Sequence, residues 1–321
     1  MQHAYVRFAG IAVGIAAVFG FSSAALAADN TPPVVRATVP AADTIVAGSA
    51  VTLTGTATDA VGVVGVQFIL DETTNLGSED TVSPYTMSWN STAVSNGLHT
   101  ISARGRDAAR NNATSIINIT VDNEVPAAGT IVINGGAAYT GSTAATLTLS
   151  ATDAVTSITQ MRFSNNGTSF GTAVAYNTTA AWTLTTGTGT KTVYAQFKDA
   201  AGNWSPISSD TIILDATAPT ISAVTAINIS DTSATITWTT DEPATSQANY
   251  GLTTSYGSTT AIDNTLVTSH SHVISGLTPN TLYHYRVRSK DAAGNERVGT
   301  DFTFTTAAAR SEERRVGKEC L

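Results

Sequence analysis

The chain has 321 residues, a formal charge of −8, 12% charged and 7% aromatic residues, and one cysteine. Such an acidic chain is a poor partner for nucleic acid or an anionic membrane, and a single cysteine excludes an internal disulfide framework. Threonine, serine, alanine and glycine dominate, a composition that suits many short strands joined by turns rather than helices.

Met1 to Arg7 carries one positive charge, Phe8 to Phe21 is an apolar run of 14 residues, and Ser22-Ser23-Ala24-Ala25-Leu26-Ala27 ends in small residues. This is the pattern of a secretory signal peptide, residues 1–27, cut after Ala27. The apolar run falls short of the roughly 18 residues a membrane span needs. No membrane insertion is expected of the mature part, which is placed in the secreted or cell-surface fraction of a bacterium. No cysteine follows the run, so a lipid anchor there is not expected.

Three segments then repeat: Asp107-Ala-Ala-Arg-Asn111, Asp199-Ala-Ala-Gly-Asn203 and Asp291-Ala-Ala-Gly-Asn295, with their aspartates 92 residues apart each time. The linkers Asp29-Asn-Thr-Pro-Pro33, Asp122-Asn-Glu-Val-Pro126 and Asp215-Ala-Thr-Ala-Pro219 repeat too, their prolines 93 residues apart. That period is too long for a solenoid unit and right for a small domain. Domains are therefore expected at 31–123, 124–216 and 217–307, joined by short proline-stiffened linkers.

Within each domain the hydrophobic period is two. Val51 to Asp59, Ala145 to Asp153 and Ala234 to Asp241 each alternate apolar residues with threonine. The penultimate strands behave alike: Ile101, Ala103 and Gly105 precede Asp107 at the offsets at which Val193, Ala195 and Phe197 precede Asp199. Tyr285, Val287 and Ser289 do so before Asp291. No segment after the signal peptide has a helical period. About seven short strands per domain predict an all-β chain of three tandem antiparallel β-sandwiches. From residue 28 to 309 there is no cysteine, so core packing alone must hold each domain.

The first domain resembles bacterial immunoglobulin-like domains, through Asp59-Ala-Val-Gly-Val-Val-Gly-Val-Gln-Phe-Ile-Leu-Asp71, Ser83-Pro-Tyr-Thr-Met-Ser-Trp89 and Asn96-Gly-Leu-His-Thr100. Arg110 stands where its Asp-Ala-Ala-Gly-Asn turn expects glycine. The second is similar to a related bacterial Ig-like repeat, through Gln160-Met-Arg-Phe-Ser164, Trp182 and Lys191 to Lys198. The third is similar to a fibronectin type III module, through Trp238, Gly276-Leu-Thr-Pro-Asn-Thr-Leu-Tyr283, Tyr285 and Val287. That resemblance implies that Tyr283 is a corner tyrosine bonded back to nearby backbone. It also extends to modules found before phosphatase domains. Together the resemblances imply fold strongly and function weakly.

Arg310 to Cys320 breaks from this composition and holds four basic residues and the only cysteine. It resembles the translation of a sequencing adapter, so residues 310–321 are expected to be a non-native tail on a fragment of a longer chain. Removing Arg7 and the tail's four basic and three acidic residues leaves −10 for residues 28–309, a fair balance for divalent cations.

No catalytic set is found. There is no Gly-x-Ser-x-Gly elbow, phosphate loop or His-Glu-x-x-His helix. His99 and His284 sit between inward positions and are expected to face solvent. His270 and His272 share a strand face, expected on an exposed edge. Trp89, Trp182 and Trp238 lie on strands as core residues, and Trp204, after a turn, is the lone candidate for an exposed aromatic. One tryptophan makes no carbohydrate platform.

The aspartates carry more. In a sandwich, the loops after the second and sixth strands lie at the end where the linker enters. The expected groups are Asp29, Asp59 and Asp107; Asp122, Asp153 and Asp199; and Asp215, Asp241 and Asp291. Three converging carboxylates repel unless a cation neutralises them, and calcium accepts such an irregular oxygen set. The other reading is plain turn chemistry, since Asp and Asn bond their own backbone. Two functions stand open. One is a non-enzymatic extracellular spacer or adhesive stalk, with an extracellular protein or polysaccharide as partner and calcium at the junctions. The other is an accessory N-terminal region of a secreted hydrolase or metallophosphatase whose catalytic domain is missing.

Overall fold

A computed structural model describes residues 29–309; the expected signal peptide and charged tail lie outside the described residues. The chain separates into two compact units. One runs up to Thr44 and includes Ala50–Asn90 and Leu98–Ile119; the other takes Ile45–Ser49, Ser91–Gly97 and Thr120 onward. Strands make up nearly all of the regular structure, and the only helical pieces among the described residues are two 3-10 turns, Ser91–Ala93 and Asn134–Gly136.

The first set of strands forms two sheets. Val34–Val39, Val51–Thr58 and Tyr85–Trp89 make one. Thr44–Val46, Asn112–Val121, Gly97–Asp107, Val63–Leu70 and Thr74–Asp80 make the other, in that order. Leu53 and Tyr85 from the smaller sheet and Val66, Phe68, Ile101 and Ala103 from the larger are buried, as the alternation requires.

The second set repeats the plan. Thr179–Thr183, Ala144–Ser150 and Thr130–Ile133 form the small sheet. Tyr139–Thr140, Ser208–Leu214, Gly189–Asp199, Ile158–Ser164 and Val174–Ala175 form the large one. Leu147, Leu149, Met161, Phe163, Val193, Ala195 and Phe197 interdigitate between them.

The third set is joined by a single strand, Ser233–Gly251. Its first half pairs with Ile221–Ile227 and Asp263–Ser275, and its second half with Leu282–Lys290. The register breaks between Thr239 and Ala244. Pro243 falls in that break, where a residue without an N–H loses no ladder bond, and the strand there passes from one layer to the other. Trp238, Ile236, Ile274, Tyr285, Val287 and Phe304 fill the core. Tyr283 accepts the Thr278 N–H on its hydroxyl at 3.0 Å, the corner bond that the fibronectin resemblance implies.

Both exposed-histidine expectations need correction. His270 is 3% exposed and stacks on Trp238 with ring centroids 4.9 Å apart; His272 stacks on the same ring at 5.9 Å. They share a face as expected, but it is the core face, because their register partners Trp238 and Ile236 point inward. His99 and His284 are half-buried and bonded through Nδ1 to Asp71 and Asp301, both at 2.8 Å. Trp204 is half-buried, with the Arg162 guanidinium over its ring at 4.1 Å, which closes that face to a ligand.

The Thr240 hydroxyl donates to Glu242 O at 2.7 Å. His270 Nε2 must therefore donate to Thr240 Oγ1 (2.9 Å), and the Ser246 hydroxyl donates to Nδ1 (2.6 Å). His270 is held neutral: burial lowers its pKa, aided by His272 and opposed by Asp263. In the unfolded chain it takes up a proton near pH 6.5, while the folded protein does so only lower. The unfolded state thus binds more protons in that window, and the third sandwich is expected to lose stability as pH falls below 6.5. Melting curves from about pH 7.5 to about pH 5 should show this loss, and His270→Gln should flatten it. An equal slope in the variant would refute the assignment.

Candidate functional site

The repeated Asp-Ala-Ala-x-Asn segment is one structure used three times. In each copy the aspartate N–H donates to the asparagine carbonyl, at 3.2, 3.2 and 3.1 Å. The asparagine N–H returns to the aspartate Oδ1, at 2.8, 2.8 and 2.9 Å. The asparagine amide donates to Oδ2, at 2.6, 2.9 and 2.8 Å. Arg110, at φ 75°, adopts the left-handed backbone that Gly202 and Gly294 supply in the other copies. The turn therefore survives the change, with a side chain where glycine is the easier residue.

The same asparagine amide reaches further. It donates to the carbonyl of the linker aspartate: Asn111 to Asp29 at 3.1 Å, Asn203 to Asp122 at 3.1 Å and Asn295 to Asp215 at 2.7 Å. Asp122 and Asp215 are also bonded on their N-terminal side. The Asp122 N–H donates to Val46 O at 3.0 Å, and the Asp215 N–H donates to Thr140 O at 2.9 Å. One linker residue is thus the last rung of one ladder and the first anchor of the next turn. Asn123 adds to this within the second unit: its Oδ1 accepts the Gly48 N–H at 2.8 Å and its amide donates to Ser91 O at 3.1 Å. Gly141 packs on the third turn, where a Cβ would meet Asn295 Oδ1 at 2.7 Å.

The linker and turn aspartates meet a third carboxylate. Asp29, Asp59 and Asp107 have carboxylate oxygens within 4.8 Å of one another, as do Asp122, Asp153 and Asp199. The third group is Asp215, Glu242 and Asp291. Asp241, expected there, lies elsewhere: it is exposed and its Oδ1 accepts the Thr220 N–H at 2.7 Å. That bond, with the Thr220 hydroxyl, outweighs burial and holds the Asp241 pKa down. The cause is the period of two. Leu53, Leu147 and Ile236 are core residues, and six residues on from each, in the same phase of the burial alternation, stand Asp59, Asp153 and Glu242.

Turn chemistry and convergence coexist in these groups. Asp59 Oδ1 accepts the N–H of Val61 and Gly62, and Asp153 Oδ1 accepts those of Val155 and Thr156. The second oxygen remains. Asp153 Oδ2 and Asp29 Oδ2 are buried and have no hydrogen-bond partner. A buried, partnerless carboxylate oxygen beside two more carboxylates is costly without a positive charge. Asp122 is fully buried and Asp199 nearly so, at 0% and 1% exposure. Glu242 sits over a cavity of about 190 Å³ lined also by Tyr139, Pro243 and Leu266. Burial, then the charges of Asp215, Asp291 and Asp241, raises its pKa. This donor set of hard oxygens fits calcium rather than a thiolate- or imidazole-seeking metal.

Among known proteins, residues 33–103 match the family described as bacterial Ig domain. Residues 219–306 match the one described as purple acid phosphatase, N-terminal domain. Over 156 residues the chain is 35% identical to endoglucanase B of Cellulomonas fimi, a stretch covering 44% of this chain and 14% of that protein. The chain therefore matches only a small part of that curated relative. Fibronectin(III)-like modules of Clostridium thermocellum CbhA align at 17% identity, covering 57% of this chain and 94% of theirs, with a TM-score of 0.38. A structure from a 1.5-MDa bacterial ice-binding adhesin aligns at 18% identity, covering 87% of this chain and 99% of that chain, with a TM-score of 0.40. The described residues fold as tandem β-sandwiches, the first of them similar to a bacterial Ig domain over residues 33–103. Among the described residues no helix is long and apolar enough to cross a membrane.

Proposed function

We propose that the chain is a non-enzymatic spacer of a secreted or cell-surface bacterial protein, with calcium bound where each linker enters a sandwich. The observation that carries this is the double anchoring of the linker aspartate. Asp122 bonds Val46 through its N–H and Asn203 through its carbonyl, and Asp215 repeats this with Thr140 and Asn295. A linker residue held through both its N–H and its carbonyl is restrained where it stands, which supports a stalk. The carboxylate groups would take calcium as a second staple, with Asp122, Asp153 and Asp199 as the most buried set.

Calcium at about 100 times its Kd is expected to add about 2.7 kcal/mol of stability per site relative to chelator. Asp153→Asn should reduce that gain, and calorimetry with and without chelator reads both. An unchanged melting temperature and radius of gyration would remove calcium from this proposal. The spacer itself is tested by small-angle scattering of the whole chain, which should give an extended particle with few conformers. A broad ensemble would sink it.

A second reading rests on the family matches. The third sandwich matches a module named for its place before a phosphatase domain, and the curated relative is an endoglucanase. In that case these sandwiches hold a catalytic domain off a surface. Resequencing the source locus across the codon for Ala309 decides between them: a catalytic domain in frame supports the second reading, and further sandwiches or an anchor support the first.

A further inference from the structure

We infer that the outer face of the larger sheet in the first sandwich is a binding cleft for a carboxylate-bearing glycan. Arg104 and Arg106 are two apart on Gly97–Asp107, so both leave the sheet on the outer face. Gln67 is the register partner of Arg104, and Gly65 that of Arg106. Gly65 shapes the cleft. A Cβ there would lie 2.7 Å from Glu79 Cγ, 2.8 Å from its Cδ and 2.9 Å from Asp80 O. Without it, Glu79 crosses the neighbouring strand and meets Arg106 in a fork, with Nε to Oε1 at 2.7 Å and Nη2 to Oε2 at 2.8 Å.

The result is a cleft of about 530 Å³ lined by Gln67, Glu79, Arg104, Arg106 and Asn112, within the roughly 300–1,000 Å³ usual for ligand sites. Gln67 is 8% exposed, and its amide nitrogen is committed to Phe68 O at 2.8 Å and Leu76 O at 3.1 Å. Its amide oxygen is then the group it can offer. The Asn112 amide is likewise committed to Arg110 O at 2.9 Å. Arg104 is exposed, and its guanidinium is a donor fork suited to a carboxylate.

Two arginines against one glutamate leave the cleft positive on a chain of charge −8, which selects an anion. The lining has no apolar side chain, so a peptide would find nothing for its apolar groups. Fixed amide oxygens, a carboxylate and guanidinium donors instead suit the give-and-take of sugar hydroxyls. The cleft shares no residue with the carboxylate groups, so it goes beyond the spacer role.

The test is calorimetric titration of the whole chain with trigalacturonate, cellotriose and a tri-glutamate peptide. Trigalacturonate is expected to bind saturably and the other two not. Arg104→Ala should weaken it at least about tenfold, and Glu79→Gln, which frees the Arg106 charge, should strengthen it. Arg36→Gln, which removes a charge from an exposed position of the other sheet, should change nothing. The Arg104 side chain is exposed and its backbone pairing survives truncation, and melting curves verify that each variant is folded. Absence of trigalacturonate binding, equal binding by Arg104→Ala, or equal binding of cellotriose or the acidic peptide would overturn the assignment.

Discussion

Replacing Trp238 by alanine is expected to lower the stability of the third sandwich by about 3–5 kcal/mol. Trp238 is 1% exposed, packs among Ile236, Ile274, Tyr285 and Val287, and stacks on two histidines. Its indole N–H donates to Ser289 Oγ at 2.9 Å, and Ser289 is itself 1% exposed. The truncation thus opens a cavity and leaves a buried hydroxyl without its donor. A domain of this size has only about 5–15 kcal/mol in hand, so much of its margin goes. No disulfide lies within the sandwich to compensate. Scanning calorimetry of the whole chain should show one transition moving to lower temperature, carrying about a third of the unfolding heat by size. Trp238→Phe should recover part of the loss by refilling the space without the hydrogen bond. Unshifted transitions in the alanine variant would mean that the core does not rest on this residue.

How far the sequence leads is clearest at particular residues. The alternation around Leu53, Leu147 and Ile236 is local, and it predicts both the strands and the core they bury. The spacing of the aspartates was also legible, because turns at one end of a sandwich follow from strand direction. Glu242 needed one more step: Asp59 and Asp153 stand eight positions after Val51 and Ala145, and eight after Ala234 is Glu242, not Asp241. The two core-facing histidines were missed because a polar residue on an alternating strand reads as outward. Only the hydroxyls of Thr240 and Ser246, supplied by the paired strand from 30 and 24 positions earlier in the sequence, make His270 bearable inside. The asparagine's grip on the linker carbonyl was invisible for a related reason, since it joins residues about 80 positions apart. The cleft around Gly65 depends on Glu79 reaching across a register break, and periodicity carries no sign of such a break. The matched families cover the first and third modules, where the quoted sequence marks are densest.

Replacing Asn203 by alanine is expected to loosen the junction around Asp122 and to cost about 1–3 kcal/mol for each buried polar group left without a partner. Two groups lose their donor: Asp122 O, bonded at 3.1 Å, and Asp199 Oδ2, bonded at 2.9 Å. Water cannot readily replace the amide, because Asp122 and Asp199 are 0% and 1% exposed. The main-chain bond from Asn203 N–H to Asp199 Oδ1 survives the substitution, so the turn should persist while the linker is released. Stability and positioning therefore separate. Amide exchange should quicken at the Asp122 N–H, which donates to Val46 O, more than at Phe197 in the core strand. Asn203→Asp sharpens the test, because it keeps the shape but adds a negative charge beside Asp122, Asp153 and Asp199. In chelator it should be worse than alanine, through repulsion of like charges at short range, and added calcium should restore more to it than to the parent. If alanine leaves exchange at Asp122 unchanged, the asparagine is only a turn residue and the linker is held by other means. If aspartate is no worse than alanine in chelator, the three carboxylates do not share one charged site.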